Sequence, residues 1–316
     1  MLAISFATTF QAMLQVFILG AIGYALVKAK FLKVEGLELL SALLIGIILP
    51  AFNFSQIIAH FQPERFSNWW VFPLLGFGMT IGGFILASLV LLVTPSFKSR
   101  REFKALIAFQ NSGYMPLTIL AAFPPSEAIA HLSVYIIIFL IGFDILLWTL
   151  GVWLLTSEKN SRFDWKRLIN PPMMATIFSL ILMFTHTGEH LPVVILKPVK
   201  MLGDCLLPLV MVVLGGNFAL TQLKKLQVWD VAAVVLTKLI FYPVMVLAFL
   251  TVVPVGPMIG LLLVLEAAMP SANSLSIITR YYRTQNQDFI NQSLFLTNVL
   301  SVLTIPLFLA LYAKLM

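Results

Sequence analysis

The sequence predicts an all-α protein that crosses a membrane many times. Three observations carry this. Of its 316 residues, 60% are hydrophobic and only 10% charged, against about 25% charged in a soluble domain. Mean hydropathy is +0.99. The apolar residues also gather in runs of about 18 or more, the length a helix needs to cross the hydrocarbon core. A soluble chain of this size would still need a polar surface, which this composition cannot supply.

Ten such runs can be read, at about 5–27, 37–60, 67–93, 102–122, 127–156, 171–187, 193–219, 229–252, 256–280 and 287–314. The first lacks a basic start and a small-residue cleavage site, so it reads as a mature helix and not a signal peptide. The longest connection is SEKNSRFDWKRLINPP, residues 157–172, polar, charged and closed by Pro171-Pro172. It divides the chain into a first five-span repeat (1–156), a cytoplasmic linker (157–170) and a second five-span repeat (171–316).

Orientation follows from Lys and Arg in alternate loops. Lys28, Lys30 and Lys33, then Lys98, Arg100, Arg101 and Lys104, then Lys159, Arg162, Lys166 and Arg167 fall on one side, as do Lys224, Lys225, Arg280 and Arg283. The other side holds Arg65, Lys197, Lys200 and Lys314. This bias places both termini outside the cytoplasm. It also accounts for the net charge of +7 without a nucleic-acid partner. The lone Cys205 cannot form an internal disulfide, and no His/Cys cluster has zinc-ligand spacing.

The fourth span carries QNSGYMP and the ninth EAAMPSANS. Each puts a proline near mid-span beside Asn and Ser, and each is the fourth span of its half. An odd number of spans per half inverts the second half relative to the first. Interrupted spans at matching positions of inverted halves are the best sequence pointer to a transporter's binding site. A break exposes carbonyls at one helix end and N–H groups at the next. N-terminal ends favour an anion and C-terminal ends a cation. Pro116 and Pro270 suit break or first-turn positions. Asn111, Ser112, Gly113, Ser271, Asn273 and Ser274 can satisfy freed backbone or touch a solute, and Tyr114 can stack on the solute or fill space. The simpler alternative is two proline kinks with buried polar side chains. A looser echo links ILPAFNF, with Pro50 and Asn53, to LLPLVMVVLGGNF, with Pro208 and Asn217.

Ionisable residues within spans are functional candidates. Glu266 lies one turn before the ninth-span break and is read as an ion-coupling residue, binding Na+ or a proton; pairing with a base or capping the backbone is the alternative. Asp144, midway along the fifth span, reads equally as coupling or structural. Lys200 and Asp204, four apart, read as an internal ion pair. Lys238 can neutralise an organic anion, but snorkelling or pairing is the simpler reading. His131, His186, His190 and most of the tryptophans read as interfacial.

These segments resemble the auxin efflux carrier (PIN-like) family of secondary transporters. The likeness lies in FQNSGYMPL, MPSANS, RLINPPMMATIFSLIL and LPLVMVVLGGNFAL and spans almost the whole chain. It implies a ten-helix fold of two inverted five-helix repeats, shared with bile-acid sodium symporters. Spans 1, 2, 6 and 7 would form a scaffold. Spans 3–5 and 8–10 would form a moving transport domain, with spans 4 and 9 crossing at Pro116 and Pro270. A homodimer through spans 1, 2 and 7 is implied as well. Family substrates are organic anions. The short central loop fits a bacterial inner-membrane member better than the long-looped plant proteins.

The expected function is therefore secondary transport of small organic anions, carboxylates first, by alternating access at the membrane midplane. The alternatives are sodium-coupled uptake of a larger organic anion and a non-transporting receptor on the same fold. No HExxH, GxGD or Ser/His motif is present, so no catalytic residue is expected. No cofactor is expected beyond Na+ or H+ as coupling ion.

Overall fold

The computed structural model describes residues 6–61, 64, 68–94, 97–121, 123–124, 126–156, 169–221, 228–284 and 286–315. Most of the central linker lies outside the described residues, as do Arg65, Lys159, Arg162, Trp165, Lys166, Arg167, Lys224 and Lys225 and the side chain of Tyr114. The described chain is helical apart from turns and one isolated antiparallel bridge, Gln110 with Ser271. The first half holds α1 (Phe6–Lys28), α2 (Val34–His60), α3 (Val71–Val93), α4 (Arg100–Ala108), α5 (Tyr114–Ala121) and α6 (Glu127–Thr156). The second holds α7 (Pro171–Phe184), α8 (Val193–Leu220, interrupted at Cys205), α9 (Val228–Val252), α10 (Pro257–Ala268), α11 (Ser274–Tyr281) and α12 (Gln287–Leu315).

Six of these helices, α2, α3, α6, α8, α9 and α12, are each long and apolar enough to cross a membrane unaided. The protein is thus a multi-pass membrane protein. Large apolar side chains such as Leu92, Val93, Val194 and Leu303 stand exposed on its outside, where lipid is the natural solvent.

Local chemistry sets the helix starts. Asn170 caps α7: its side-chain oxygen accepts from Met173 N at 3.1 Å, while Pro171 and Pro172 fill the first turn, where a missing N–H costs nothing. The same Asn170 amide donates to Trp148 O at 2.8 Å, tying α7 to α6. Trp148 is fully buried, so it is a packing residue and not part of an interfacial belt. Ser126 caps α6 in the same way through Ile129 N. Helices α2, α6 and α9 each contain one π turn, at Leu44–Ile48, Leu147–Gly151 and Thr237–Phe241.

Helix α1 packs along the second part of α8, and α2 packs on α7 and the first part of α8. Helix α3 packs on α4 and α6, while α9, α10 and α12 pack on one another. In lipid, such contacts need close backbone approach. A Cβ added to Gly142 would lie 2.0 Å from Pro73 O, and one added to Gly215 would lie 1.8 Å from Gly20 O. Gly142→Ala should therefore force α6 off α3 and destabilise the fold by about 1–3 kcal/mol. Gly78→Ala, whose added Cβ meets nothing within 4 Å, should leave the thermal midpoint of the purified protein unchanged.

Candidate functional site: the seam between two interrupted segments

Helix α4 ends at Ala108 and α5 begins at Tyr114; α10 ends at Ala268 and α11 begins at Ser274. The two five-residue gaps lie against each other. Asn111 N donates to Pro270 O at 2.9 Å, and Ala272 N donates to Phe109 O at 2.9 Å. This is a two-rung antiparallel ladder centred on Gln110 and Ser271. It explains where proline is allowed. Pro270 contributes only its carbonyl, whereas the N–H of residue 272 is a rung and could not be a proline. Pro116 is the third residue of α5, within the first turn.

Side chains satisfy what the ladder does not. Ser271 Oγ donates to Leu106 O at 2.6 Å. Lys238 Nζ donates to Ile107 O at 3.0 Å. Both carbonyls belong to the last turn of α4, whose orphan acceptors are thus taken up by other elements. Asn273 precedes α11 but makes no capping bond there; its Oδ1 accepts from Asn298 of α12 at 3.0 Å.

Several buried polar atoms have no hydrogen-bond partner among the described residues. Among them are both amide atoms of Gln110, Asn111 Nδ2, Ser112 Oγ, Asn273 Nδ2 and both carboxylate oxygens of Glu266, with others along α12 such as Ser293 Oγ and Thr304 Oγ1. Buried polar groups in a folded protein are nearly always paired, and the first set lies in or beside the two gaps. Ser112 is a hydrogen-bonding neighbour of the Glu266 carboxylate, at a looser geometry than the pairs above, while Lys238 acts on it as an opposite charge and bonds to Ile107 O.

The other predicted residues divide. Asn53 and Asp144 come together: Asn53 Nδ2 donates to Asp144 Oδ2 at 3.0 Å and to Thr176 Oγ1 at 3.1 Å. They share a small cavity, about 20 Å³, with Gln110, Asn111, Ser112, Gly113 and Ser274. Across the seam, an apolar cavity of about 250 Å³ between α1, α8 and α12 reaches Asn298. Glu266 lines neither cavity. The larger hollow of about 840 Å³, beside Glu64, His186, Lys197 and Lys200, lies at the ends of α2 and α7, away from the seam. Lys200 and Asp204 do pair, at 2.7 and 2.8 Å, but on an exposed face and not in the interior. Lys238 does not snorkel: it is fully buried.

Sequence reasoning passed over Gln110 as a site residue, Asn298, and a second polar chain at the far end of α11. There Arg280 donates to Asn217 Oδ1 at 2.7 Å, and Asn217 Nδ2 donates to Ser276 Oγ at 2.7 Å. Polar residues inside the apolar α12 run, such as Asn291 and Asn298, were the available signal.

The fold defines a class: a multi-pass membrane protein, with buried polar side chains gathered where the segment after α4 meets the segment after α10. The sequence model of the membrane transport protein family matches residues 8–164 and again residues 156–309. The chain belongs to that family, the auxin efflux carrier (PIN-like) group, and is a membrane transporter. Comparison with curated proteins gives no match.

Ser271→Ala would strand the buried Leu106 carbonyl and should cost about 1–3 kcal/mol, read as a lower thermal midpoint. Thr251→Ala removes a hydroxyl bonded to Ala248 O on an exposed face and should stay within about 0.5 kcal/mol of the parent.

Proposed function

We propose that the protein is a secondary carrier of small organic anions, carboxylates above all, moved by alternating access around the seam. The observation that carries this is the cluster of unpaired buried groups at Gln110, Asn111 and Asn273, beside the first turns of α5 and α11. Helix N-terminal ends and amide donors suit a carboxylate.

In this reading α4 with α5, and α10 with α11, each form one interrupted span. The chain then has ten spans in two inverted halves, 1–156 and 171–316. Helices α1, α2, α7 and α8 are the scaffold, and the remaining helices form the moving part. The packing of α1 on α8 and of α2 on α7 and α8 supports the first group. The Asn53–Asp144 bond and the Asn217–Arg280 bond each join one group to the other, so both must exchange during a cycle. The 20 Å³ cavity holds about one water; the 250 Å³ cavity beside Asn298 is the volume available to the body of a cargo. Residues in the bilayer with no charge pair, Asn111 and Asn273, are the assigned anion contacts, with Ser112, Gly113, Pro116, Pro270, Ser271 and Ser274 shaping the backbone around them. The excess of basic residues on one side supports an inner-membrane orientation with both termini non-cytoplasmic.

The test is carboxylate flux into proteoliposomes under an imposed solute gradient. The parent should carry flux, and Asn111→Ala and Asn273→Ala should each reduce it at least tenfold while remaining folded. Parent-level flux in both variants would remove the assigned site.

A further inference from the structure

We infer that Lys238 is a tethered cation: its ammonium occupies the cation position formed by the C-terminal end of α4 and the Glu266 carboxylate, so the protein works without bound sodium there. The inference deepens the carrier reading and rests on it only for its transport consequence.

The geometry is specific. Lys238 is fully buried in the π turn of α9. Its Nζ bonds to Ile107 O, in the last turn of α4, at 3.0 Å and lies 4.5 Å from the centroid of the Tyr242 ring. A helix C-terminus carries partial negative charge and favours a cation, and an aromatic face adds to that preference. Tyr242 is itself pinned, its hydroxyl donating to Met79 O at 2.6 Å. Glu266, also fully buried, is the acidic group close enough to influence it. Lys238 does not line the cavity of Asn53 and Asn111, so it is not placed to meet the cargo.

A hard cation such as Na+ is held by several oxygen atoms. The oxygens on offer here are the Glu266 carboxylate, the Ser112 hydroxyl and the terminal carbonyls of α4. The ammonium already takes Ile107 O, and Ser271 takes Leu106 O. With a fixed positive charge at this spot, a sodium ion would meet repulsion and too few donors. The residues present do not fit sodium; they fit an ammonium that never leaves. Removing it should create a vacancy for a small cation of the same class.

The experiment uses the purified full-length protein without solute, unfolded thermally in choline, sodium or ethylammonium chloride at equal ionic strength. The parent should show the same midpoint in all three. Lys238→Met should lose about 5 °C or more in choline and recover at least half of that in sodium, whose ion is small enough for the space of the lost ammonium; ethylammonium, too large for it, should not restore the loss. Adding Glu266→Gln to Lys238→Met should also recover stability, because both charges are then gone. If Lys238→Met alone does not accumulate, recovery of folded protein in the double variant supports the pairing, and its failure overturns it. A parent stabilised by several degrees in sodium overturns the inference. So does a Lys238→Met midpoint equal to the parent's, or a loss that neither sodium nor Glu266→Gln restores. Because the readout is stability without cargo, absent carboxylate flux would sink the carrier reading and leave this result standing.

Discussion

Hydrocarbon offers no partner to a bare peptide group, and this constraint governs the rest of the molecule. A helix that stops inside the bilayer leaves acceptors at one end and donors at the next. Between Ala108 and Tyr114, and between Ala268 and Ser274, the chain lays two non-helical segments edge to edge. Phe109, Asn111, Pro270 and Ala272 supply the backbone bonds, and Ser271 and Lys238 close the last turn of α4. The long helices then position these short ones: α3 and α6 hold α4, α9 and α12 hold α10, and α2, α8 and α12 hold α11.

Satisfaction is incomplete by a small set of side chains, and their chemistry divides by location. Toward Asn53 and Asp144 the free groups are the amides of Gln110 and Asn111, in a cavity that the Asp144 carboxylate also lines. Behind the seam the free group is a carboxylate opposed by a buried ammonium. A site of neutral donors can release what it binds, whereas a desolvated charge pair costs much to open.

Much of this was legible in the sequence. The apolar runs gave helix positions, as for 127–156 against Glu127–Thr156, and the polar clusters around Pro116 and Pro270 marked where helices stop. Asn170 with Pro171 and Pro172 announced a helix start through capping chemistry alone. What was not legible depends on contacts far apart in the chain. Nothing local to Asn53 names Asp144, 91 residues away, as its partner. Lys238 read as a snorkelling or pairing residue because its inward direction is set by a π turn, which has no strong sequence signature. Span position alone does not say that Trp148 is buried, or that Asn170 bonds to its carbonyl from 22 residues away.

That π turn has a consequence for how the chain can vary. A helix turns about 100° per residue, and the wider turn at Thr237–Phe241 absorbs one residue more than a regular helix would. Deleting a single residue there would restore ideal geometry and leave Tyr242 and everything beyond it on the side it now faces, because the wide turn confines the extra residue to itself. What such a deletion would not keep is the direction of the side chains inside the turn, Lys238 among them.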